Sequence, residues 1–207
     1  MFSQFMAILK IFLQNIESYV SGLDFTKVAD ILLYNPREPL LFSSGAFLFI
    51  FLVFMIGYYC LRNKVDARLL FVTLFSYYFF YKSSSFYFLL LLIVTVSDFY
   101  IARRVAKGKH PKLWLALTLL IDLGLLAYFK YTNFFAGMVT QMIGGNFQPW
   151  DIFLPVGISF YTFKTISYVV DIYRKKAEPM ESLLDYAFYV SFFPTLLAGP
   201  ITRATDF

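Results

Sequence analysis

The sequence is poor in the side chains that build metal sites and covalent cross-links. Its 207 residues include a single cysteine and a single histidine. One cysteine excludes a framework of disulfides within the chain. Cys60 also lies inside an apolar run, where cysteine behaves as a small hydrophobic residue. No cysteine or histidine pair has the spacing of a zinc site, so we predict no metal site.

The sequence also lacks the short motifs of common soluble enzymes. It contains no glycine-rich phosphate loop and no Gly-x-Ser-x-Gly nucleophile elbow. The one histidine, His110, stands beside Pro111 in the basic stretch KGKHPK. No carboxylate close in sequence would orient it as a base. We interpret His110 as a solvated loop residue, and we predict no catalytic residue and no bound cofactor in this chain.

Apolar surface is what the sequence has in excess. Hydrophobic residues make up 59% of the chain, aromatic residues 22% and charged residues 15%, and the mean hydropathy is +0.66. A water-soluble domain of this length cannot bury so much apolar surface. We therefore expect an all-α, polytopic helical membrane protein with about six spans. The apolar runs that predict them are 40–61, 69–81, 86–101, 113–129, 155–173 and 183–198.

Two further features shape this expectation. The runs 69–81 and 86–101 are separated only by KSSS, which predicts a tight hairpin whose polar ends stretch to the membrane interface. Apolar residues recur every three to four positions over 1–21, which predicts an amphipathic helix on the membrane surface. A signal peptide is the alternative for this segment, although Lys10 interrupts its apolar region. We therefore divide the chain into an amphipathic extension, 1–38, and a transmembrane domain, 39–207.

The net charge of +5 is concentrated in short loops beside apolar runs. These loops, at 62–68, 102–112 and 174–179, are separated from one another by two spans each, which fits cytoplasmic positions under the positive-inside rule. The basic charge therefore indicates membrane topology and not nucleic-acid binding. It predicts a multi-pass protein of the bacterial cytoplasmic (inner) membrane, with the lipid bilayer as its first partner.

Several charged residues interrupt the apolar runs. Lys164, Tyr168 and Asp171 share one helix face, together with Ser167. Because charges in hydrocarbon are costly, such residues face a protein interior or a wet cavity, and we predict that this stripe lines a hydrophilic passage. The alternative is structural: Asp171 pairs with a nearby basic residue, and Lys164 snorkels or meets an acid. Asp122, in mid-span, requires a partner on another helix or a neutral state, and Asp98 is interpreted as a helix-packing residue.

The last apolar run breaks its own helix. Pro194 removes a backbone donor within the stretch FFPTLLAGPITR, and Gly199 and Pro200 end the helix before Arg203. Freed backbone groups are tolerated at membrane depth only where protein or a wet cavity shields them. We therefore add these four residues to the predicted passage. An ordinary kinked span with Arg203 at the interface is the alternative.

Four segments occur in the order of a known family: LFSSGAFLFIFL at 41–52, YFKYTNFF at 128–135, LPVGISFYTFKTISYVVDIYR at 154–174 and FFPTLLAGPITR at 192–203. From about residue 39 onward the chain resembles the amino-terminal part of bacterial membrane-bound O-acyltransferases (MBOAT) of the alginate O-acetyltransferase type. The D-alanyl transfer protein of teichoic acid synthesis is a more distant likeness. The resemblance implies a ring of membrane helices around a thin centre, with a funnel from each side.

The resemblance also implies a reaction. An acyl group, expected to be acetyl, passes from a cytoplasmic thioester donor, acetyl-coenzyme A or an acyl carrier protein, to hydroxyls of a cell-envelope polysaccharide. A carrier or a periplasmic acyltransferase is the protein partner it suggests. The hallmark catalytic histidine of the family lies in a later helix, beyond AGPITR. His110 does not match it, so we expect the catalytic-histidine half outside these 207 residues. A transporter-like protein and a non-catalytic membrane scaffold are the alternative functions.

Overall fold

The computed structural model describes residues 33–35, 40 and 44–198. The chain divides into two compact units, Met1–Pro39 and Leu40–Phe207. Only 33–35 are described in the first unit, so the architecture below is that of the second. The predicted amphipathic helix at 1–21 lies outside the described residues, and the predicted boundary after residue 38 stays a prediction.

Residues 44–198 form helices and connecting turns and contain no strand, as the sequence predicts. The elements are α1 (Gly45–Cys60), α2 (Val65–Ser84), a 3-10 turn (Ser85–Tyr87), α3 (Phe88–Lys107), α4 (Pro111–Leu126), a π-helical turn (Ala127–Tyr131), α5 (Thr132–Met142), α6 (Ile158–Tyr173), α7 (Leu183–Ser191) and α8 (Phe193–Ala198). Two helical stretches, Val65–Lys107 and Pro111–Met142, are long and apolar enough to cross a membrane. The total of six spans stays a prediction.

The stretch Val65–Lys107 folds back on itself as a helical hairpin. Ser85 adopts φ 54° and ψ −139°, which interrupts the helix between α2 and α3. The Tyr77 hydroxyl donates to Thr95 Oγ1 at 3.3 Å, although the two residues are 18 positions apart. In a straight helix they would be separated by ~27 Å. The predicted tight hairpin is therefore confirmed.

Most of the polar turn of this hairpin is buried in the bundle, and its position at the membrane interface stays a prediction. Lys82, Ser83 and Ser84 are at most 4% exposed. The Ser83 hydroxyl donates to the Leu40 carbonyl at 2.8 Å, and the Val156 N–H donates to Ser84 Oγ at 2.9 Å. The serines are polar because they satisfy neighbouring backbone groups, which buried backbone requires.

The segment 136–151, which contains three glycines, begins as helix and becomes a loop only after Met142. The chain stays helical through the π turn and through α5, and α5 ends at Met142. Gly144 then adopts φ 78°, and the Gly145 N–H donates to the Thr140 carbonyl at 2.9 Å. This is the left-handed ending that glycine allows. Gly137, inside α5, does not end the helix, because a single glycine costs a helix only about 1 kcal/mol.

The core is centred on α3, which packs against α4, α6 and α7, while α2 packs against α7. Tyrosines dominate the buried layer between α6 and α7, with the Tyr168 and Tyr186 rings 4.8 Å apart. A second cluster, rich in phenylalanine, joins α1, α2 and α8 and includes Phe54, Phe79 and Phe193. The outer face of α1 is apolar and exposed at Leu48, Phe49, Leu52, Val53 and Ile56. Large exposed apolar surfaces mark contact with membrane or protein.

The helices alternate in direction, which brings the basic loops to one end. Arg104 at the end of α3 lies 5.7 Å from the Trp114 ring at the start of α4. Lys130 in the π turn reaches Ser159 at the start of α6, with Nζ 3.4 Å from Oγ. The loops at 62–68, 102–112 and 174–179 therefore share one end of the bundle, as the predicted topology requires. Their cytoplasmic orientation stays a prediction.

Gly157 is a position where a side chain is excluded. It begins α6 with φ 75°, and a Cβ there would lie 2.5 Å from the Leu196 carbonyl oxygen on α8. We expect Gly157→Ala to lower the free energy of unfolding by roughly 1–3 kcal/mol, because left-handed strain adds to the clash. Thermal unfolding of the purified gene product in detergent measures this.

Gly124→Ala is the matched control, because Gly124 is helical and a Cβ there meets nothing within 4 Å. It should be neutral or stabilising by up to about 1 kcal/mol. Equal unfolding temperatures for the two variants would contradict the close approach of α6 to α8.

Candidate functional site

The predicted polar stripe on α6 is mostly buried in the helix bundle. Lys164 and Tyr168 are 3% and 1% exposed, whereas Asp171 is half-buried near the end of the helix. The Tyr168 hydroxyl accepts a hydrogen bond from the Met180 N–H at 2.8 Å, which ties the segment after α6 back to the helix. The role of these residues as a passage lining stays a prediction. Lys164 makes two hydrogen bonds to neighbouring helices, which are described below.

The helix break falls at Phe192, two residues before Pro194. α7 ends at Ser191, Phe192 has φ −51° and ψ 108°, and α8 starts at Phe193. Proline has no N–H, so Val190 could not receive the bond that a continuous helix requires. Proline is tolerated in a first helical turn. The chain therefore restarts a helix with Pro194 in its first turn.

Two of the backbone groups that the break frees are satisfied by other helices. In an unbroken helix the Phe193 N–H would donate to the Tyr189 carbonyl. Instead the Phe193 N–H donates to Ser76 Oγ on α2 at 3.3 Å. The Tyr189 carbonyl accepts from Lys164 Nζ on α6 at 2.7 Å. The break is thus shielded by protein on both sides.

Lys164 spans this break. Besides the Tyr189 carbonyl on α7, its ammonium donates to Thr195 Oγ1 on α8 at 2.8 Å. It also lies 4.9 Å from the centre of the Tyr189 ring, in cation–π range. The sequence predicted Lys164 and Pro194 in one polar passage. It did not show that the lysine donates hydrogen bonds to both sides of the helix break before the proline.

Two aspartates meet in the interior of the bundle. Asp122 on α4 is 1% exposed, and its Oδ2 accepts from the Thr165 hydroxyl on α6 at 2.7 Å. This is the interhelical partner that the sequence required. Asp98 on α3 is 0% exposed and lies beside Asp122 and Thr165. The sequence located both acids in spans but did not show that they face each other.

The basic loops form a cleft at one end of the bundle. Its volume is ≈ 750 Å³, within the ~300–1,000 Å³ range of ligand sites. The charged lining residues are Arg103, Lys107, Lys175, Glu178 and Glu181. The Arg103 guanidinium donates to the Glu181 carbonyl and lies 4.3 Å from the centre of the Phe99 ring. The loop charges that the sequence assigned to topology therefore also line a ligand-sized space.

A second cleft of ≈ 750 Å³ lies at the opposite end, beside the π turn. Its lining is aromatic and nearly uncharged, and it includes Tyr128, Phe135, Phe147 and Trp150. Asn133 holds the loop over α5: its Nδ2 donates to the Trp150 carbonyl at 2.9 Å and its Oδ1 accepts from the Trp150 N–H at 3.0 Å. Single π turns are frequent at functional sites.

The remaining predicted residues have simpler outcomes. Gly199, Pro200 and Arg203 lie outside the described residues, so their passage role stays a prediction. His110 is exposed and precedes α4, as expected of a solvated loop residue. Over the part of the chain that the structure describes, no group of three or more His, Cys, Asp or Glu side chains is placed to hold a metal ion.

The helices are apolar, they carry buried polar side chains, and their basic loops lie at one end. These features define the class, a helical bundle typical of membrane proteins. Comparison with known proteins then identifies the relatives. The chain is 39% identical over 175 residues to the probable alginate O-acetylase AlgI of Pseudomonas aeruginosa, and 38% identical to that of Azotobacter vinelandii. It is 30% identical over 198 residues to a peptidoglycan O-acetyltransferase of Helicobacter pylori.

Each of these matches covers 81% of the chain. The chain is a homologue of the alginate O-acetylase AlgI proteins, which confirms the resemblance drawn from the sequence motifs. It spans about a third of the length of the curated relatives it matches: 34% of the Pseudomonas protein and 38% of the Helicobacter protein. No family model matches the chain, and no solved structure matches it.

The hydrogen bonds of Lys164 predict that its replacement lowers the stability of the fold. Lys164→Met leaves the Tyr189 carbonyl without its donor, so we expect the free energy of unfolding to fall by roughly 1–3 kcal/mol. Lys130→Met is the matched control, because Lys130 is exposed and its ammonium makes only weak contacts, 3.4 Å from Ser159 Oγ and 5.5 Å from the centre of the Tyr131 ring. It should change stability by no more than about 0.5 kcal/mol.

Thermal unfolding of both variants in detergent, with acyl transfer measured in parallel, decides the point. If Lys164→Met lost transfer while keeping the parent unfolding temperature, the ammonium would not be holding the helix break. Passage lining would then be its role.

Proposed function

We propose that these residues belong to a membrane-bound O-acetyltransferase of the bacterial cytoplasmic membrane, which modifies hydroxyls of a cell-envelope polysaccharide. The observation that carries this proposal is the 39% identity to AlgI over 81% of the chain. The Helicobacter relative supports the broader class, because its name gives peptidoglycan as the acceptor. The multi-pass topology is supported by the two spanning-length stretches and the clustered basic loops.

The two clefts suit the two substrates. The basic cleft, with Arg103, Lys107 and Lys175, would attract the phosphates of acetyl-coenzyme A or an acidic carrier protein. The aromatic cleft at the other end offers rings such as Trp150 and Tyr128, whose faces pack on the apolar face of a sugar while polar groups bind its hydroxyls. A donor would thus approach from the cytoplasm and an acceptor from the opposite side.

The chemistry is an acyl transfer with balanced atoms. The acceptor oxygen forms a bond to the thioester carbonyl carbon, the carbon–sulfur bond breaks, and the proton of the hydroxyl ends on the released thiol. A general base activates the hydroxyl. The resemblance implies a histidine for this step, in sequence outside these 207 residues. The described residues would position the substrates and support the passage.

The reaction itself is the first test. Membranes that contain the complete gene product, incubated with acetyl-labelled coenzyme A or a labelled acyl carrier, should transfer label to the polysaccharide, and membranes from a deletion strain should not. Movement of an unmodified precursor without label would contradict the proposal and indicate a transporter. Restored acetylation by a protein lacking the downstream histidine would contradict the mechanism.

The basic cleft is tested by charge reversal. Lys107→Glu and Lys175→Glu should each raise the KM for the donor roughly two- to fivefold, since an exposed charge contact contributes about 0.2–1 kcal/mol. Lys112→Glu is the matched control. Lys112 is exposed in the same loop but outside the cleft lining. Initial rates against donor concentration at low and high salt measure the effect, and three identical KM values would exclude this cleft as the donor site.

A further inference from the structure

Six buried oxygen atoms in the described helices lack a hydrogen-bond partner, and three of them belong to one acidic pair. They are Asp98 Oδ1 and Oδ2, Asp122 Oδ1, Thr118 Oγ1, Tyr161 OH and Tyr186 OH. Buried polar groups are otherwise satisfied in at least nine cases of ten. Orphaned oxygens concentrated beside two aspartates therefore require an explanation.

The three hydroxyls surround the carboxyl pair from different helices. Thr118 lies one turn before Asp122 on α4, and Tyr161 lies one turn before Thr165 on α6. Tyr186 on α7 interacts electrostatically with both aspartates. Tyr161 is 2% exposed, and Tyr186 and Thr118 are 0% exposed. These hydroxyls offer neutral donors and no positive charge.

Among the described residues, no cation is found to act on the pair. Asp122 is the charged group that acts on Asp98. Lys164, although it neighbours Thr165 on α6, directs its ammonium to Tyr189 and Thr195. Arg103, further along α3, donates to Glu181. On α2, the neutral Tyr77 contacts α3 one turn from Asp98, where its hydroxyl donates to Thr95.

Two ionised carboxylates cannot stably face each other in such a site. Both groups would be acceptors only, and their repulsion is strong where water is excluded. One proton resolves both problems, because a protonated carboxyl gains an O–H donor. Asp122 already accepts from Thr165 through Oδ2, which suits the ionised partner. Asp98 has two oxygens without donors, which suits the protonated one.

We propose that Asp98 and Asp122 form a buried proton-binding site, in which the Asp98 O–H donates to Asp122 Oδ1 and joins α3 to α4. Thr165 extends the same link to α6, one residue from Lys164. Proton release would leave two facing carboxylates and push α3 and α4 apart. The unfolded chain ionises both acids at neutral pH, so folding takes up a proton and stability should fall as the pH rises. The site goes beyond the acyl transfer, which neither consumes nor releases a net proton.

Infrared spectroscopy of the purified complete gene product tests this directly. At neutral pH the protein should show the carbonyl stretch of a protonated carboxylic acid, shifted in D2O. Asp98→Asn should remove the band, because asparagine supplies the donor without an acid. Asp122→Asn should keep the band at a shifted frequency. Asp66→Asn, at an exposed position in the first turn of α2, should leave it unchanged.

Each alternative outcome overturns the proposal. The absence of the band in the parent protein would show that both acids are ionised, and a band that persists in Asp98→Asn would belong to another group. A band removed by added NaCl at constant pH would make the site a sodium site. Should Asp98→Asn fail to fold, the parent and Asp122→Asn spectra still decide. Acyl transfer is not the readout, so failure here is distinguishable from failure of the proposed enzyme activity.

Discussion

The hydrogen bond from Lys164 to the Tyr189 carbonyl is the interaction on which this part of the fold depends. Proline at position 194 prevents one continuous helix over the last apolar run, and an apolar bundle offers no water to satisfy the Tyr189 carbonyl, which loses its helical partner where the chain breaks at Phe192. The ammonium of Lys164 supplies the donor, at 2.7 Å, and a second bond to Thr195 holds the next helix in place. Gly157 lets α6 approach α8 closely enough to allow this arrangement.

The same constraint explains other polar residues in the bundle. Ser76, Ser83 and Ser84 each bond to one backbone group outside the helix that carries them: the Phe193 N–H, the Leu40 carbonyl and the Val156 N–H. Thr165 bonds to Asp122 across α4 and α6. Polar residues in these helices therefore act mainly by linking neighbouring elements. The acidic pair differs, because three of its four oxygens have no donor among the described residues. A proton that binds to this pair, or leaves it, would change how α3 packs against α4.

Much of the architecture follows from the sequence. The apolar runs predict the helices, the short KSSS connection predicts the hairpin, and the spacing of basic loops predicts that they share one end. Pairings between helices do not follow, because they depend on how each helix is rotated against its neighbours. The sequence thus required a partner for Asp122 but could not select Thr165. It predicted KSSS at the interface because serine and lysine are usually solvated, whereas Ser83 and Ser84 are buried here and bond to backbone groups.

The most direct test of this description is an experimental structure of the complete gene product in lipid nanodiscs, at a resolution that places side chains. It should show Lys164 Nζ within hydrogen-bond distance of the Tyr189 carbonyl, with the helix interrupted at Phe192. A continuous helix through Phe192, or a Lys164 side chain directed into open passage with the Tyr189 carbonyl bonded elsewhere, would contradict it.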